Sequence, residues 1–181
     1  MTKAKADKAP ENHLDTEVAK WFAVYTKYKR EKVIKKELEF KGVHVYLPIQ
    51  KLTRVYASKK KVVEMPLISC YIFVKITKTE YIKVLETDNV VGFVKIAKNL
   101  ISIPEREIDI MKRIVGEGIP VSAEPKTFVK GDQVEIVGGN LTGLQGTLVD
   151  EHGDKQVVID LDSMGYSLRI TLETRLLRKL S

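Results

Sequence analysis

An almost unbroken apolar run occupies residues 67–76, with the sequence LISCYIFVKI. It is about as long as one strand and is rich in β-branched and aromatic residues, a pattern typical of a strand buried on both faces. Directly upstream, residues 51–63 carry five lysines or arginines and no acidic residue. We therefore predict the central strand of a sheet at 67–76, preceded by a basic hairpin that turns near Ala57 and Ser58.

Short strands and amphipathic helices surround this hairpin. WFAVYT at 21–26 and VHVYLPI at 43–49 have strand composition, and Pro48 indicates an edge or a bend. Between them, an apolar stripe on a charged segment predicts a helix that ends at Gly42. The pattern further predicts a helix from Thr79 to about Thr87, a strand at 90–96 and a helix from Pro104 to about Val115. This order predicts an α+β fold, an antiparallel sheet covered by helices.

Composition divides the chain into four segments. Residues 1–19 are polar and predict a flexible tail, and residues 20–115 hold the α+β domain. Residues 116–126, GEGIPVSAEPK, combine glycines and prolines without periodicity and predict a linker. Residues 127–181 consist of short strands separated by regular turn signals, which favours a small β-barrel.

Positive charge is concentrated in the first domain. The formal net charge of the chain is +7, with +8 in residues 21–124 and −1 in residues 125–181. A cationic excess of this size favours a polyanionic partner, most plausibly nucleic acid. A solvated lysine-rich surface remains the alternative.

The sequence lacks the features of several other protein classes. The one cysteine, Cys70, lies in the apolar run, so we expect a reduced intracellular protein. The polar N-terminus and the lack of an apolar stretch of about 18 residues predict a cytoplasmic protein without membrane contact. His13, His44 and His152 are scattered, and no nucleophile or carboxylate motif is present. We therefore expect no enzyme activity, no metal site and no cofactor.

Two arrays of residues resemble the NusG family of transcription elongation factors. The first runs from WFAVYT through the charged helix, VHVYLP, the basic hairpin, PLISCYIFVKI and VVGFV to IPEREIDIMKRI, and resembles the family's amino-terminal (NGN) domain. The second, GDQVEIVGGNLTGLQGTLVD, resembles the KOW motif that follows that domain. YLPI, the compact lysine-rich hairpin and PL-x-x-x-Y-x-F-V most resemble the specialised RfaH and UpxY paralogues. One departure is Ile68, which replaces the family's usual aromatic residue.

The resemblance implies a binding function. In this family the first domain docks an apolar patch on the clamp helices of the RNA polymerase largest subunit, which implies a factor that suppresses pausing or termination. By position, the patch would comprise Trp21, Tyr25, Leu67, Ile68 and Tyr71. Neighbouring strands present such side chains together only if their register places them on one face, which the sequence leaves open. A role in the core is the alternative for these residues.

The cationic segment is expected to contact the non-template DNA strand in the transcription bubble. Lysines bind phosphates and a tyrosine stacks on a base. The residues assigned to this contact are Lys27, Tyr28, Arg54, Tyr56, Lys59, Lys60 and Lys61. In the second domain, the resemblance implies that Leu141 contacts a small-subunit ribosomal protein or the termination factor Rho. Packing within its turn is the alternative for Leu141.

Three functional hypotheses follow. The first is a transcription antiterminator, the second a general NusG that also couples to Rho and the ribosome, and the third a KOW-containing protein of the translation machinery that binds rRNA. The segments DQVEIV and QVVIDLD favour strand, so we expect a permanent barrel. The final stretch, LETRLLRKL, is nevertheless compatible with a helix.

Overall fold

The computed structural model describes residues 10–57, 59–127, 129–151 and 154–180. Ser58, part of the predicted hairpin turn, His152, and residues 1–9 of the predicted tail lie outside the described residues. The first domain contains, in chain order, β1 (Lys20–Thr26), α1 (Glu31–Phe40), β2 (His44–Tyr46), β3 (Ile49–Tyr56), β4 (Lys59–Pro66), β5 (Tyr71–Ile76), α2 (Tyr81–Leu85), β6 (Val90–Phe93) and α3 (Glu105–Gly116).

Four of these strands form an antiparallel sheet in the order β2-β5-β1-β6. The interior position predicted for the apolar run is therefore confirmed. Both faces of β5 are buried, because Ile72 and Val74 join the core beneath α1, whereas Tyr71 and Phe73 join the cluster that includes α3. The predicted α+β fold, a sheet covered by helices, is confirmed as well.

The central strand is shorter than the apolar run. It begins at Tyr71 rather than at residue 67. Cys70 has a left-handed backbone with φ 65°, which is incompatible with a continuing strand. Its N–H donates to the carboxylate of the buried Glu31 at 2.8 Å, and the N–H of Leu67 donates to the carbonyl of Pro48 at 2.8 Å. These bonds hold residues 67–70 as a turn at the end of the sheet.

Helix α1 ends as its sequence predicts. Gly42 has φ 80°, and the N–H of Val43 donates to the carbonyl of Leu38 at 2.9 Å. A left-handed glycine followed by this longer hydrogen bond is the common way to satisfy the last carbonyls of a helix. Ile34 and Leu38 are fully buried against the sheet, whereas Val33 is 51% exposed.

The basic segment forms a separate two-stranded hairpin of β3 and β4. Eight residue pairs align from Ile49 with Pro66 to Tyr56 with Lys59, without a register shift. Ala57 in the turn has φ 50°. The hairpin pairs with neither larger sheet, so the predicted basic hairpin forms an element of its own.

The second domain is an antiparallel sheet of six strands. These are β7 (Val121–Pro125), β8 (Asp132–Ile136), β9 (Gln145–Glu151), β10 (Asp154–Leu161), β11 (Tyr166–Thr171) and β12 (Leu177–Lys179), in the order β12-β8-β9-β10-β11-β7. This sheet is consistent with a KOW-like domain. The segment 174–179, within the helix-compatible stretch, forms a short 3-10 turn and β12. Strand β7 pairs with β11 although it lies in the predicted linker, which leaves 117–120 between the two domains.

The chain before β1 is bound to the first domain. The N–H of His13 donates to the carbonyl of Leu100 at 2.9 Å, and the N–H of Lys78 donates to the carbonyl of Asp15 at 2.7 Å. Leu14 packs against the core beneath α1. Residues 10–19 are therefore an ordered strap and not part of a flexible tail, because these contacts hold them in place.

None of the helices in the described parts of the chain is long and apolar enough to cross a membrane.

Candidate functional site

The register between β1 and β5 brings two predicted site residues together. Tyr25 lies directly opposite Tyr71, and Ala23 lies opposite Phe73. Directly opposite residues of an antiparallel pair point to the same face. The Tyr71 hydroxyl donates to the Tyr25 hydroxyl at 2.6 Å, and the ring centroids are 4.6 Å apart. The sequence left open whether these side chains share a face, and the register places both tyrosines on the same one.

The second domain covers this pair. Tyr71 is only 5% exposed, and the ring of Tyr166 meets it edge-on with centroids 5.5 Å apart. Burial raises the pKa of Tyr71, and the hydrogen bonds with Tyr25 and Tyr166 raise it further. Tyr25 keeps 40% of its surface exposed. The structure therefore has a closed arrangement, in which the second domain lies on the face that carries the tyrosines.

Leu67 and Ile68 are buried in the same place. They are 5% and 3% exposed and belong to one apolar cluster that extends from β5 through α3 into the second domain. We call Tyr25, Leu67, Ile68 and Tyr71 the tyrosine face. Its apolar side chains are covered within the chain itself, since the cluster contains residues of both domains.

Trp21 lies on the same face of β1 as Tyr25 and belongs to the same apolar cluster as Leu67, Ile68 and Tyr71, but its polar contact is with α3. It is 2% exposed, and its indole N–H donates to Glu105 at the start of α3 at 2.9 Å. Lys75 donates to the same carboxylate oxygen at 3.1 Å. The hydrogen bond from Lys75 is the main cause that lowers the pKa of Glu105; burial opposes it, and the hydrogen bond from Trp21 lowers the pKa by a smaller amount. Trp21 is therefore a core residue beneath α3 in this structure, not a surface side chain.

Polar contacts from α3 hold the second domain. The carboxylate of Glu107 accepts hydrogen bonds from the backbone N–H and the hydroxyl of Ser163, both at 3.1 Å. The guanidinium of Arg113 donates to the carbonyls of Asn140 and Thr142, with its shortest bond to each at 2.7 Å. Helix α3 thus contacts two loops of the second domain, so both must separate from it when the domain moves away.

The loop that carries Leu141 is one of these two. Leu141 is 2% exposed and belongs to the apolar cluster, which agrees with packing, the alternative to a partner contact for this residue. The reason is that Arg113 binds the carbonyls on either side of it and draws the loop onto α3. In the closed arrangement Leu141 is unavailable to a partner.

The hairpin separates its charged residues into two faces. Because alternate residues of a strand share a face, the register places Arg54 and Tyr56 on one side together with Lys61 and Lys59 opposite them. Lys60 points to the other side, opposite Val55. All of these side chains are exposed, and Tyr56 is 52% exposed. We call Arg54, Tyr56, Lys59 and Lys61 the cationic face.

A groove connects the hairpin to α1. Its volume is about 810 Å³, and its lining includes Lys32, Tyr56, Lys59 and Lys61. Lys32 donates to Glu64 of the hairpin at 2.8 Å, and this bond and its charge lower the pKa of Glu64. Lysines and a tyrosine along one open groove are suited to a phosphate chain with a stacked base.

The remaining two predicted contacts lie just before α1. Lys27 and Tyr28 are both exposed on the segment that joins β1 to α1, Tyr28 at 67%. The amine of Lys29 lies 5.2 Å from the centre of the Tyr28 ring. These residues belong to the segment leading into α1, which supplies Lys32 to the groove.

A family model described as "Transcription termination factor nusG" matches residues 19–112. The chain belongs to the NusG family of transcription factors. Members of this family are not enzymes. The match covers the sheet, the hairpin and all but the last turn of α3.

Solved structures extend the similarity to the second domain. A structure described as "Domain interaction in Thermotoga maritima NusG" shares 21% identity, with a TM-score of 0.57 over 90% of this chain and 98% of that one. The "MjSpt4:Spt5 complex conformation B" shares 20% identity over 89% of this chain and 97% of that one, but its TM-score of 0.31 is too low to support an inference. Comparison with curated proteins found no match.

Several residues of this NusG-family protein contribute to the contact between its domains or to the hairpin and its groove, although no sequence pattern identifies them. Tyr166, Glu107 and Arg113 form the contact between the domains, and Gln50 and Lys32 lie at the root of the hairpin and beside its groove. Each has a partner more than 25 positions away, so local patterns do not identify it. The signal that was available is the apolar stripe of α3, because a helix that buries Ile108, Met111 and Ile114 needs a partner surface.

Proposed function

We propose that this NusG-family protein is a transcription elongation and antitermination factor that binds RNA polymerase through its tyrosine face. The observation that carries the proposal is the register of β1 and β5, which joins Tyr25 to Tyr71 beside the buried Leu67 and Ile68. Removing the second domain would expose an apolar surface with two aromatic rings. Such a surface suits an interface with a protein, and the largest polymerase subunit is the expected partner.

Docking requires the closed arrangement to open. Tyr166 contacts Tyr71 of the tyrosine face, and Ser163 and Asn140 hold the second domain on α3, so polymerase and the second domain compete for the tyrosine face. A domain interaction is also described for the NusG of Thermotoga maritima, which supports a closed state as a property of this chain. The apparent affinity for polymerase is then reduced by the fraction of molecules that are closed.

The cationic face is proposed to contact the non-template strand of the transcription bubble. Arg54, Lys59 and Lys61 supply charge for phosphates, and Tyr56 supplies a ring for stacking. Lys27 and Tyr28 extend this surface ahead of α1. Lys60 lies on the opposite side of the hairpin, and we assign it a weaker, longer-range contribution.

The second domain is proposed to bind its own partner once released. Opening exposes Leu141, and a small-subunit ribosomal protein or Rho is the expected partner for this loop. A general NusG role and a dedicated antiterminator role differ in how this protein changes Rho-dependent termination. We expect the chain to reduce termination in a purified transcription assay with Rho, and increased termination would favour the general role.

Capture of purified RNA polymerase after nuclease treatment tests the docking. The full chain is compared with Ile68→Asp and with Val33→Asp, a matched control on the exposed side of α1. We expect the wild type and Val33→Asp to bind and Ile68→Asp to lose at least tenfold in affinity. Circular dichroism establishes that each variant is folded. Equal binding by all three would exclude the tyrosine face, and binding that disappears with nuclease would favour the rRNA-binding alternative.

A further inference from the structure

Gln50 at the root of the hairpin contacts the second domain through both ends of its amide. Its side-chain NH₂ donates to the carbonyl of Val121 at 3.1 Å, and its oxygen faces the N–H of the same residue at 3.4 Å. Gln50 is 7% exposed, and Val121 is the first residue of β7. One side chain therefore connects the hairpin to the strand that enters the second domain.

Gln50 lies on the same side of the hairpin as the cationic face. It lies four and six residues before Arg54 and Tyr56 on the same strand, so all three point to one side. Met65 lies directly opposite Gln50, and the guanidinium of Arg54 reaches the Met65 sulfur at 3.4 Å. A phosphate chain bound at Arg54 thus lies next to the position that β7 occupies in the closed arrangement.

The chemistry of the Gln50 amide matches a base edge. Val121 presents one donor and one acceptor from its backbone, and the amide pairs with both. The major-groove edge of adenine presents the same complement, an N6 donor beside the N7 acceptor, which glutamine binds in a bidentate manner. When the second domain leaves, the amide loses both partners and becomes free to form such a pair.

We propose that Gln50 is a specificity residue used by two occupants in turn, the Val121 backbone in the closed arrangement and an adenine of a single strand on the cationic face in the open one. The inference rests on the nucleic-acid contact proposed above. Because the two occupants exclude each other, strand binding favours opening, and opening strengthens strand binding by the same factor. Recognition of adenine and exposure of the tyrosine face are linked through this one side chain.

The test uses the full chain with two twelve-nucleotide strands, oligodeoxycytidine and alternating dC and dA, neither of which pairs with itself at neutral pH. We expect the wild type to bind the adenine strand at least about fivefold more tightly, as a bidentate contact predicts. Gln50→Met keeps the shape of the side chain but lacks the amide, and Gln50→Glu keeps only an acceptor. Both should lose most of this preference, whereas Thr53→Val, on the other face of the hairpin, should keep it.

Hydrogen exchange measures the linkage in the same samples. The Ser163 amide, which donates to Glu107 across the domains, reports closure. Saturation with the adenine strand should speed its exchange at least threefold in the wild type, and Gln50→Met should exchange faster even without a strand. Two results would overturn the role of Gln50 and leave the nucleic-acid contact standing. One is salt-dependent binding with the same adenine preference in the wild type and Gln50→Met. The other is salt-dependent binding that leaves the Ser163 exchange rate unchanged. Failure of the wild type to bind either strand overturns the nucleic-acid contact as well.

Discussion

Tyr25 and Tyr71 face each other across the ladder between β1 and β5, with their hydroxyl oxygens 2.6 Å apart. Tyr166 of the second domain completes the cluster from outside the sheet. The first domain contributes two rings in a fixed register, and the second contributes one that leaves when the domains separate. The same surface is therefore the core of the closed protein and the docking site proposed for the open one.

Replacing Tyr166 with alanine should favour the open state. An aromatic pair contributes about 0.5–1.5 kcal/mol beyond its buried area, so its loss should lower the closure constant roughly two- to tenfold. We expect polymerase affinity to rise by a similar factor in a binding titration. Tyr166→Phe keeps the ring and serves as the control, with a smaller rise. Unchanged affinity in Tyr166→Ala would show that Tyr166 does not limit docking.

Glu107 should control the same equilibrium through a different contact. Glu107 is 1% exposed, and its second carboxylate oxygen has no hydrogen-bond partner among the described residues. Glu107→Leu leaves the Ser163 N–H and hydroxyl without their acceptor, and because Ser163 is only partly buried the cost should lie near the lower end of the range of about 1–3 kcal/mol for a buried donor. Ser163 exchange should then accelerate about tenfold. Glu107→Gln keeps an acceptor and removes the buried charge, so it should not accelerate exchange, and an equal effect of both variants would argue against this role for Glu107.

The two faces of the hairpin should differ in their response to mutation. Lys59 and Lys61 share the cationic face, and Lys60 points away. Replacing Lys59 and Lys61 together with glutamine removes two phosphate contacts, which should reduce the slope of log affinity against log salt by about 1.4 for a single strand. Lys60→Gln should change the slope less than half as much. Equal slopes for the double variant and wild type would leave the hairpin without a role in binding.

Acid should disrupt the contact between Trp21 and Glu105. The ordinary pKa of a glutamate is about 4.3, and Lys75 lowers that of Glu105. A lowered folded-state pKa means that the stabilisation is fully present above the ordinary value and is lost as pH falls through the lowered one. Trp21 is the single tryptophan, so its fluorescence should be constant from pH 7 to about 5 and change below about 4.3. Glu105→Gln keeps an acceptor for the indole and should lack this step, whereas the same step in both proteins would assign it to another group.

The sequence predicted those parts of the fold that depend on local pattern. The apolar run, the stripe of α1 with Gly42 and the hairpin are each visible within about ten residues, because strand burial, helix termination and turns are set by neighbours along the chain. The start of β5 was missed, since the left-handed Cys70 is held by Glu31, 39 positions away. A composition rich in lysine and alanine likewise predicted a tail at residues 1–19, although backbone hydrogen bonds to Leu100 and Lys78 fix part of it.

The surfaces were predicted less completely for the same reason. The resemblance identified Tyr25 and Tyr71, but whether they meet depends on register, which is a property of two paired strands. The burial of Leu67, Ile68 and Leu141 depends on the position of the second domain. Arg113 is an example. Its charge predicts an exposed side chain, whereas in the structure it forms hydrogen bonds between the domains, to the carbonyls of Asn140 and Thr142.

The strap before β1 should contribute to the stability of the first domain. Leu14 packs against the core beneath α1, whereas Val18 in the same segment is 57% exposed. Leu14 is only partly buried, so Leu14→Ala should lower the free energy of unfolding by about 1–2 kcal/mol, below the range for a fully buried leucine. Val18→Ala removes a similar side chain and should change it by less than about 0.5 kcal/mol. Urea unfolding followed by Trp21 fluorescence measures both. If the strap were a flexible tail, both variants would change the free energy of unfolding by equal and negligible amounts, because neither side chain would pack against the folded domain.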